Sequence, residues 1–235
     1  MQSRVRLSVF GADRPEFTGI ACWRVLVPRA RVPKSIKMDV GTNWVGPGGH
    51  VVHYPVHGGE LLNLVGLLER DDWRVESWTV QGSRDEFSND FRNWHADIHA
   101  MIRSGDVPYK WALFSRPPMA AWTRGRVTLL GDACHSMLPM LAQGAVMALE
   151  DGYELARCIG QYGVAPEALK RYEAARRERA NRAVSGSADN AKRFHNPDLA
   201  HAAGAEAYVT REWQEGRVKA RYEWLFTYDA ASVPI

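Results

Sequence analysis

The chain has 235 residues, 46% of them hydrophobic and 24% charged, with a formal net charge of +3. Its basic side chains are mostly interleaved with acids, as in ALKRYEAARRERANR, which describes a solvated helix face and argues against a nucleic-acid stripe. No run approaches the roughly 18 apolar residues of a membrane span, and the opening MQSRVRLSVFGADRPEF has no signal-peptide pattern. Such a chain can bury a real core as one large domain or two smaller ones. Cys22, Cys134 and Cys158 are too few and too scattered for a disulfide framework, so the expectation is reduced thiols in the cytoplasm.

In chain order, Thr18 to about Gly66 reads as strands. ACWRVLVP and GELLNLVGLL are apolar or alternating, and VGPGGHVVHYPVHGGE is hairpin material punctuated by glycine. WRVESWTV extends the sheet from Trp73 to Val80, giving a mixed or antiparallel sheet. The period then changes: Phe87, Phe91, Trp94 and Ile98 recur at helical spacing, and Ser83 with Glu86 makes a capping-box pattern. An extended segment, YKWALFSRPPMAAW, precedes a strand over Val127 to Leu130. Helices follow from Gly144 to about Gly160 and from Pro166 to beyond Arg182, Pro166 being a favourable first-turn residue. The last fifty residues read as a helix and an extended tail.

The stretch with most chemical content is VTLLGDACHSMLPMLAQGAVMALEDGYELARCIG. A strand ends at Gly131-Asp132, a loop containing Pro139 runs on, and a helix opens at Gly144. A helix N-terminus presents unpaired N–H groups and a positive dipole end, so it favours an anion or a developing negative charge. Asp132, read as a buried carboxylate at the strand end, suits the hydroxyls of a sugar or ribityl chain. A plain turn followed by a plain helix fits the same pattern. Two other constellations are set aside. His95 and His99 have a zinc-compatible spacing but no third ligand, and Asp132, His135 and Ser136 lack a nucleophile elbow.

GDACHSMLPMLAQGAVMALEDGYELA resembles the GD-x-x-H…P…GQG…A-x-EDA signature of class A FAD-dependent aromatic monooxygenases, in the branch of salicylate and 3-hydroxybenzoate hydroxylases. FTGIACWRVLVP, GPGGHVVHYPVHGGELLNLVG, RPPMAAWTRGRV and RYEAARRERANR extend the resemblance over nearly the whole chain, in the family's order. The resemblance implies a set of roles. Gly131, Asp132, Pro139, Gly144 and Ala145 hold FAD: Asp132 on the ribityl chain, the loop from Pro139 along the isoalloxazine ring, the Gly144 and Ala145 N–H groups at its pyrimidine edge. His53 and Gln143 are the catalytic candidates, His53 helping to deprotonate a phenol, and Tyr54 lines the substrate. His135 is expected to be structural, bonding backbone near the flavin.

The implied fold is α+β: a substrate-binding β-sheet domain and the flavin-proximal part of a Rossmann-like FAD-binding domain, with C-terminal helices. The expected boundaries are 1–17 for a remnant of the FAD-binding domain, 18–115 for the substrate sheet, 116–185 for the flavin-proximal part and 186–235 for a helix and tail. The implied reaction is hydroxylation of a phenolic or aromatic acid through a flavin C4a-hydroperoxide, with FAD as cofactor, NAD(P)H as reductant and molecular oxygen as co-substrate. Partners are a small aromatic substrate and, for quaternary structure, a homodimer, with neither nucleic acid nor membrane; no metal is expected. One departure matters. The family's G-x-G-x-x-G turn, which holds the FAD pyrophosphate, is not among these residues, and MQSRVR resembles the tail of a later dinucleotide-binding motif. The expectation is the C-terminal part of a longer enzyme or a late-starting product, completed by a separate N-terminal FAD-binding segment. The alternatives are an inactive remnant acting as a binding or interface module and a related FAD-dependent epoxidase.

Overall fold

A computed structural model describes residues 3–75, 77 and 79–235. The chain forms two compact units. One comprises Phe17–Phe114 with Phe194–Tyr208, the other the described part of Met1–Glu16 with Ser115–Arg193 and Val209–Ile235.

The first unit is built on a five-stranded sheet in the order β2-β3-β4-β1-β5, from β1 (Glu16–Pro28), β2 (Thr42–Gly46), β3 (Gly49–Val56), β4 (Leu61–Glu69) and β5 (Tyr109–Ser115). The pairings β1–β4, β2–β3 and β3–β4 are antiparallel, as the glycine-punctuated hairpins require. One face is dry. Trp23, Val25 and Val27 of β1, Val51 of β3 and Leu62 and Leu64 of β4 pack with Phe87, Phe91, Ile98, Met101 and Ile102. These last come from α2 (Arg84–Asp90) and α3 (Ala96–Ser104) and the turn between them.

The single helix expected after Ser83 is therefore two. The Ser83 hydroxyl accepts the Glu86 N–H at 3.0 Å, but the Glu86 carboxylate turns to Lys110 Nζ at 2.7 Å instead of closing a capping box. The break at Phe91 lets Phe87, Phe91 and Trp94 wrap the sheet at Gly66 and Gly46, where a Cβ would collide with their rings. The strand expected from Trp73 to Val80 does not form among its described residues, and Glu76 and Trp78 lie outside them. Val75 and Val80 still receive the N–H groups of Ala112 and Lys110.

The second unit is helical around a core of Trp122, Leu129, Cys134, Cys158, Ala168, Tyr172 and Ala180. It begins with α1 (Arg4–Phe10), capped by Ser3. A two-stranded hairpin follows, β6 (Thr123–Arg124) with β7 (Val127–Thr128), so the strand expected to run to Leu130 stops two residues early. Then come α4 (Asp132–His135), α5 (Gly144–Tyr162) and α6 (Pro166–Phe194). The tail holds two helices where one was expected, α7 (Ala202–Glu212) and α8 (Glu215–Phe226). All three cysteines are free and buried. No helix among the described residues is long and apolar enough to cross a membrane.

Candidate flavin and substrate site

The segment between β7 and α5 is not an open loop. Gly131 turns the chain with φ +57° and ψ −142°, a conformation that suits glycine, and a Cβ there would lie 3.2 Å from that of Ala148. Asp132 begins the four-residue α4 and is exposed, where the sequence suggested burial. Its carboxylate makes no hydrogen bond or ion pair among the described residues. Pro139 opens a 3-10 turn over Pro139–Leu141, and Ala142 leaves it in the left-handed region at φ +53°, an uncommon conformation for a residue with a Cβ. Asn190 Nδ2 holds the Met140 carbonyl at 3.1 Å, tying this turn to α6.

At the start of the 19-residue α5, Gln143 occupies the cap position without a side-chain cap, and the first turn has no acidic residue. The N–H groups of Gly144 and Ala145 belong to the first turn, which has no intrahelical acceptor for them. Gln143 Oε1 is buried without a hydrogen-bond partner. A carbonyl oxygen buried and unpaired costs free energy unless a ligand donor meets it. Gly144 leaves room beside it, a Cβ there meeting nothing closer than Met137 Cγ at 3.9 Å. An uncapped dipole, free N–H groups and an orphaned amide oxygen fit the edge of a flavin, which offers both a carbonyl acceptor and ring N–H.

Behind this turn lies a network that sequence reading missed. Asp151 of α5 is fully buried. Its carboxylate accepts the Gly131 N–H at 2.9 Å, lies 2.5 Å from His135 Nε2 and accepts Arg176 Nε at 2.9 Å. Burial opposes the Asp151 charge, but His135, the Gly131 N–H and Arg176 outweigh it and hold the carboxyl below its usual range. His135 thus bonds a carboxylate, not backbone. The signal was present in LEDG, whose Asp is the part of the motif given no role. His95 and His99 are engaged locally, His95 capping α3 through Asp97 N–H and His99 meeting Ser88 Oγ at 2.6 Å.

In the sheet unit, alternation along β3 separates the two expected substrate residues. His53 shares its face with Val51, under α2 and α3, and its Nδ1 accepts Trp44 Nε1–H at 3.1 Å. Tyr54 points the other way and is 40% exposed. His50, four residues earlier, lies on the Tyr54 side. That face is half open: the register aligns Tyr54 with Asn63 and Leu26, and His50 with Leu67 and Cys22. Arg24, also on it, donates to Asn63 Oδ1 at 2.9 Å. Burial lowers the pKa of both histidines, that of His50 to about 3, with His195 adding to the effect. A period of two was enough to find His50, because only residues an even number apart share a strand face.

The FAD binding domain family matches residues 23–187. The chain belongs to that family. It is 33% identical over 99% of its length to 3-amino-4-hydroxybenzoate 2-monooxygenase PtnB3 of Streptomyces platensis, covering 58% of that protein. It is 34% identical to 6-hydroxynicotinate 3-monooxygenase of Pseudomonas fluorescens over its whole length, covering 56% of that relative. Among solved structures, a salicylate hydroxylase substrate complex superposes with TM-score 0.77 at 25% identity, over 94% of this chain and 57% of that one. Klebsiella pneumoniae HpxO, complexed with FAD and uric acid, gives 0.74 at 27% identity, over 91% and 54%. The chain spans about half the length of the curated relatives it matches.

Proposed function

We propose that the chain is the substrate-sheet and flavin-proximal portion of an FAD-dependent, NAD(P)H-using hydroxylase of phenolic or aromatic acids, working in the cytoplasm. The observation that carries this reading is the uncapped N-terminus of α5 beside the buried, unpartnered Gln143 Oε1, following a Gly131-Asp132 turn. Asp132 would accept ribityl hydroxyls, and Gly144 and Ala145 N–H would face the pyrimidine edge, where reduction places negative charge. Pro139 would line the ring, and Gln143 would meet flavin or substrate. When bound, FAD supplies the reducing and oxygen-activating chemistry that side chains lack.

Residues 18–115 then carry the substrate face, with Tyr54 as its wall. The expected base at His53 moves to His50, because His53 lies on the helix-covered face while His50, though buried itself, lies on the Tyr54 face of the sheet. A neutral imidazole there takes the phenol proton and leaves the ring electron-rich. The FAD pyrophosphate needs a glycine-rich turn that these 235 residues lack, so another segment, in the same or a separate chain, holds it. The free, buried cysteines suit the reducing compartment.

Flavin fluorescence titrated with the lone chain should show weak binding, since several charge-assisted phosphate hydrogen bonds worth about 1.5–3 kcal/mol each are missing. Supplying the glycine-rich segment should restore yellow colour and phenol-stimulated NAD(P)H oxidation. In that reconstituted enzyme His50→Gln should lower hydroxylation roughly 10²–10⁴-fold, and His53→Gln far less. Equal effects would remove His50 from the role. A second reading, a module acting only by association, draws on the exposed stripe Val146, Leu149 and Tyr153 along α5. Reconstitution that restores colour but no hydroxylation would favour it.

A further inference from the structure

His50 does not end at its own ring. Its Nδ1 lies 2.7 Å from Nε2 of His195, in the turn after α6. His195 Nδ1 lies in turn 3.0 Å from Glu69 Oε1 at the end of β4. The His195 side chain is 1% exposed and that of Glu69 57%, so the line runs from a buried imidazole to water. The His195 carbonyl also accepts the Gly48 N–H at 3.1 Å, fixing the turn on the β2–β3 hairpin, and the Phe194 ring meets His50 edge-on at 5.1 Å.

The proton positions follow from what each group can donate. A carboxylate only accepts, so His195 carries its proton on Nδ1. A neutral His195 then has a bare Nε2, which takes the Nδ1–H of His50. His50 is left with its lone pair on Nε2, the ring nitrogen away from His195. Burial, with the His195 ring adding to it, keeps His50 neutral; burial does the same for His195, against the pull of Glu69. Among the described residues, the charged groups acting on the pair are His195 on His50 and Glu69 on His195.

We infer that His50, His195 and Glu69 form a proton relay that fixes Nε2 of His50 as the base and carries the substrate's phenolic proton to solvent. This rests on the hydroxylase reading of the site. The phenol O–H bond breaks, its electron pair stays on the oxygen, and the proton bonds to His50 Nε2. The Nδ1 proton of His50 passes to His195 Nε2, and the Nδ1 proton of His195 passes through Glu69 to water. The reverse transfer reprotonates the product and resets both tautomers. His50 is the catalytic residue; His195 and Glu69 are positioning residues.

Long-range ¹H–¹⁵N correlation on the labelled chain reads which nitrogen of each ring bears hydrogen, without flavin or turnover. Nδ1–H is expected on both His50 and His195. Glu69→Gln should erase that preference and move the His195 titration down, because the Glu69 carboxylate is what raises it. In the reconstituted enzyme with 3-hydroxybenzoate as probe, Glu69→Gln should cut turnover roughly tenfold near neutrality, recovering as pH approaches the phenol's own pKa of about 10. Glu69→Asp should restore most of the loss. A His50 protonated only on Nε2, tautomers indifferent to Glu69→Gln, or a turnover profile matching wild type would each overturn the relay. Intact tautomers in a chain that never turns over hydroxybenzoate would sustain the wiring and count against the hydroxylase reading.

Discussion

Asp151 is the residue on which the turn at Gly131 hangs, because it is at once the acceptor for Gly131 N–H and the counter-charge of Arg176. Asp151→Asn keeps the volume but leaves the Arg176 guanidinium buried with less compensation. Breaking a buried pair from one side costs about 3–5 kcal/mol. Urea unfolding of the chain should show a loss of that size, and a change under 1 kcal/mol would mean that Glu150, 2.7 Å from Arg176, already neutralises it. Gly131→Ala should also destabilise, through its positive φ and the close approach of Ala148.

At the scale of elements, the unusual feature is glycine in mid-strand. Propensity says that Gly66→Ala in β4 should stabilise, by roughly 0.5–1 kcal/mol. The packing says the opposite, because the new Cβ would sit 2.7 Å from Phe87 Cε2 and 2.9 Å from Phe91 Cζ. Overpacking of a filled core costs about 1–3 kcal/mol. A thermal melt gives the sign, and a raised Tm would show that the rings can withdraw. The same element shows what a sequence can and cannot give. The strands and hairpins from Thr18 to Glu69, and the apolar period of Phe87, Phe91, Trp94 and Ile98, were legible because each is written in local spacing. The break of that helix was not, since it answers to the shape of the sheet beneath it. His50 was legible in principle through its even separation from Tyr54. Its partner His195 was not, since nothing local joins residues so far apart. Asp132 was read as buried because it follows an apolar run; the Gly131 turn swings it outward.

For the molecule as a whole, buried ionisable groups of two kinds act in one direction on acidification. Asp151 has a depressed carboxyl pKa, and His50 and His195 have depressed imidazole pKa values. In each case the unfolded chain binds protons more readily than the folded one. The imidazole contribution is therefore fully present above about pH 6.5 and is lost as pH falls through the folded value, near 3 for His50, whereas that of Asp151 is lost only below the ordinary carboxylate range, about pH 4. Chemical denaturation should report a loss of a few kcal/mol between pH 7 and 4, and the double variant His50→Gln/His195→Gln should show a smaller pH dependence over that range. A flat profile would place those rings in contact with water.

The unit that contains the five-stranded sheet is not continuous in the chain. Its strands are complete by Ser115, yet Phe194–Tyr208 belongs to it as well. On a ribosome adding about 5–20 residues per second, His195 appears several seconds after the sheet it joins. The nascent sheet therefore folds first with its His50 corner uncovered, and that corner closes only when most of the helical unit has already been made. Ribosome-bound chains stalled before residue 195 should expose the β2–β3 hairpin to protease, and chains stalled well beyond residue 208 should protect it.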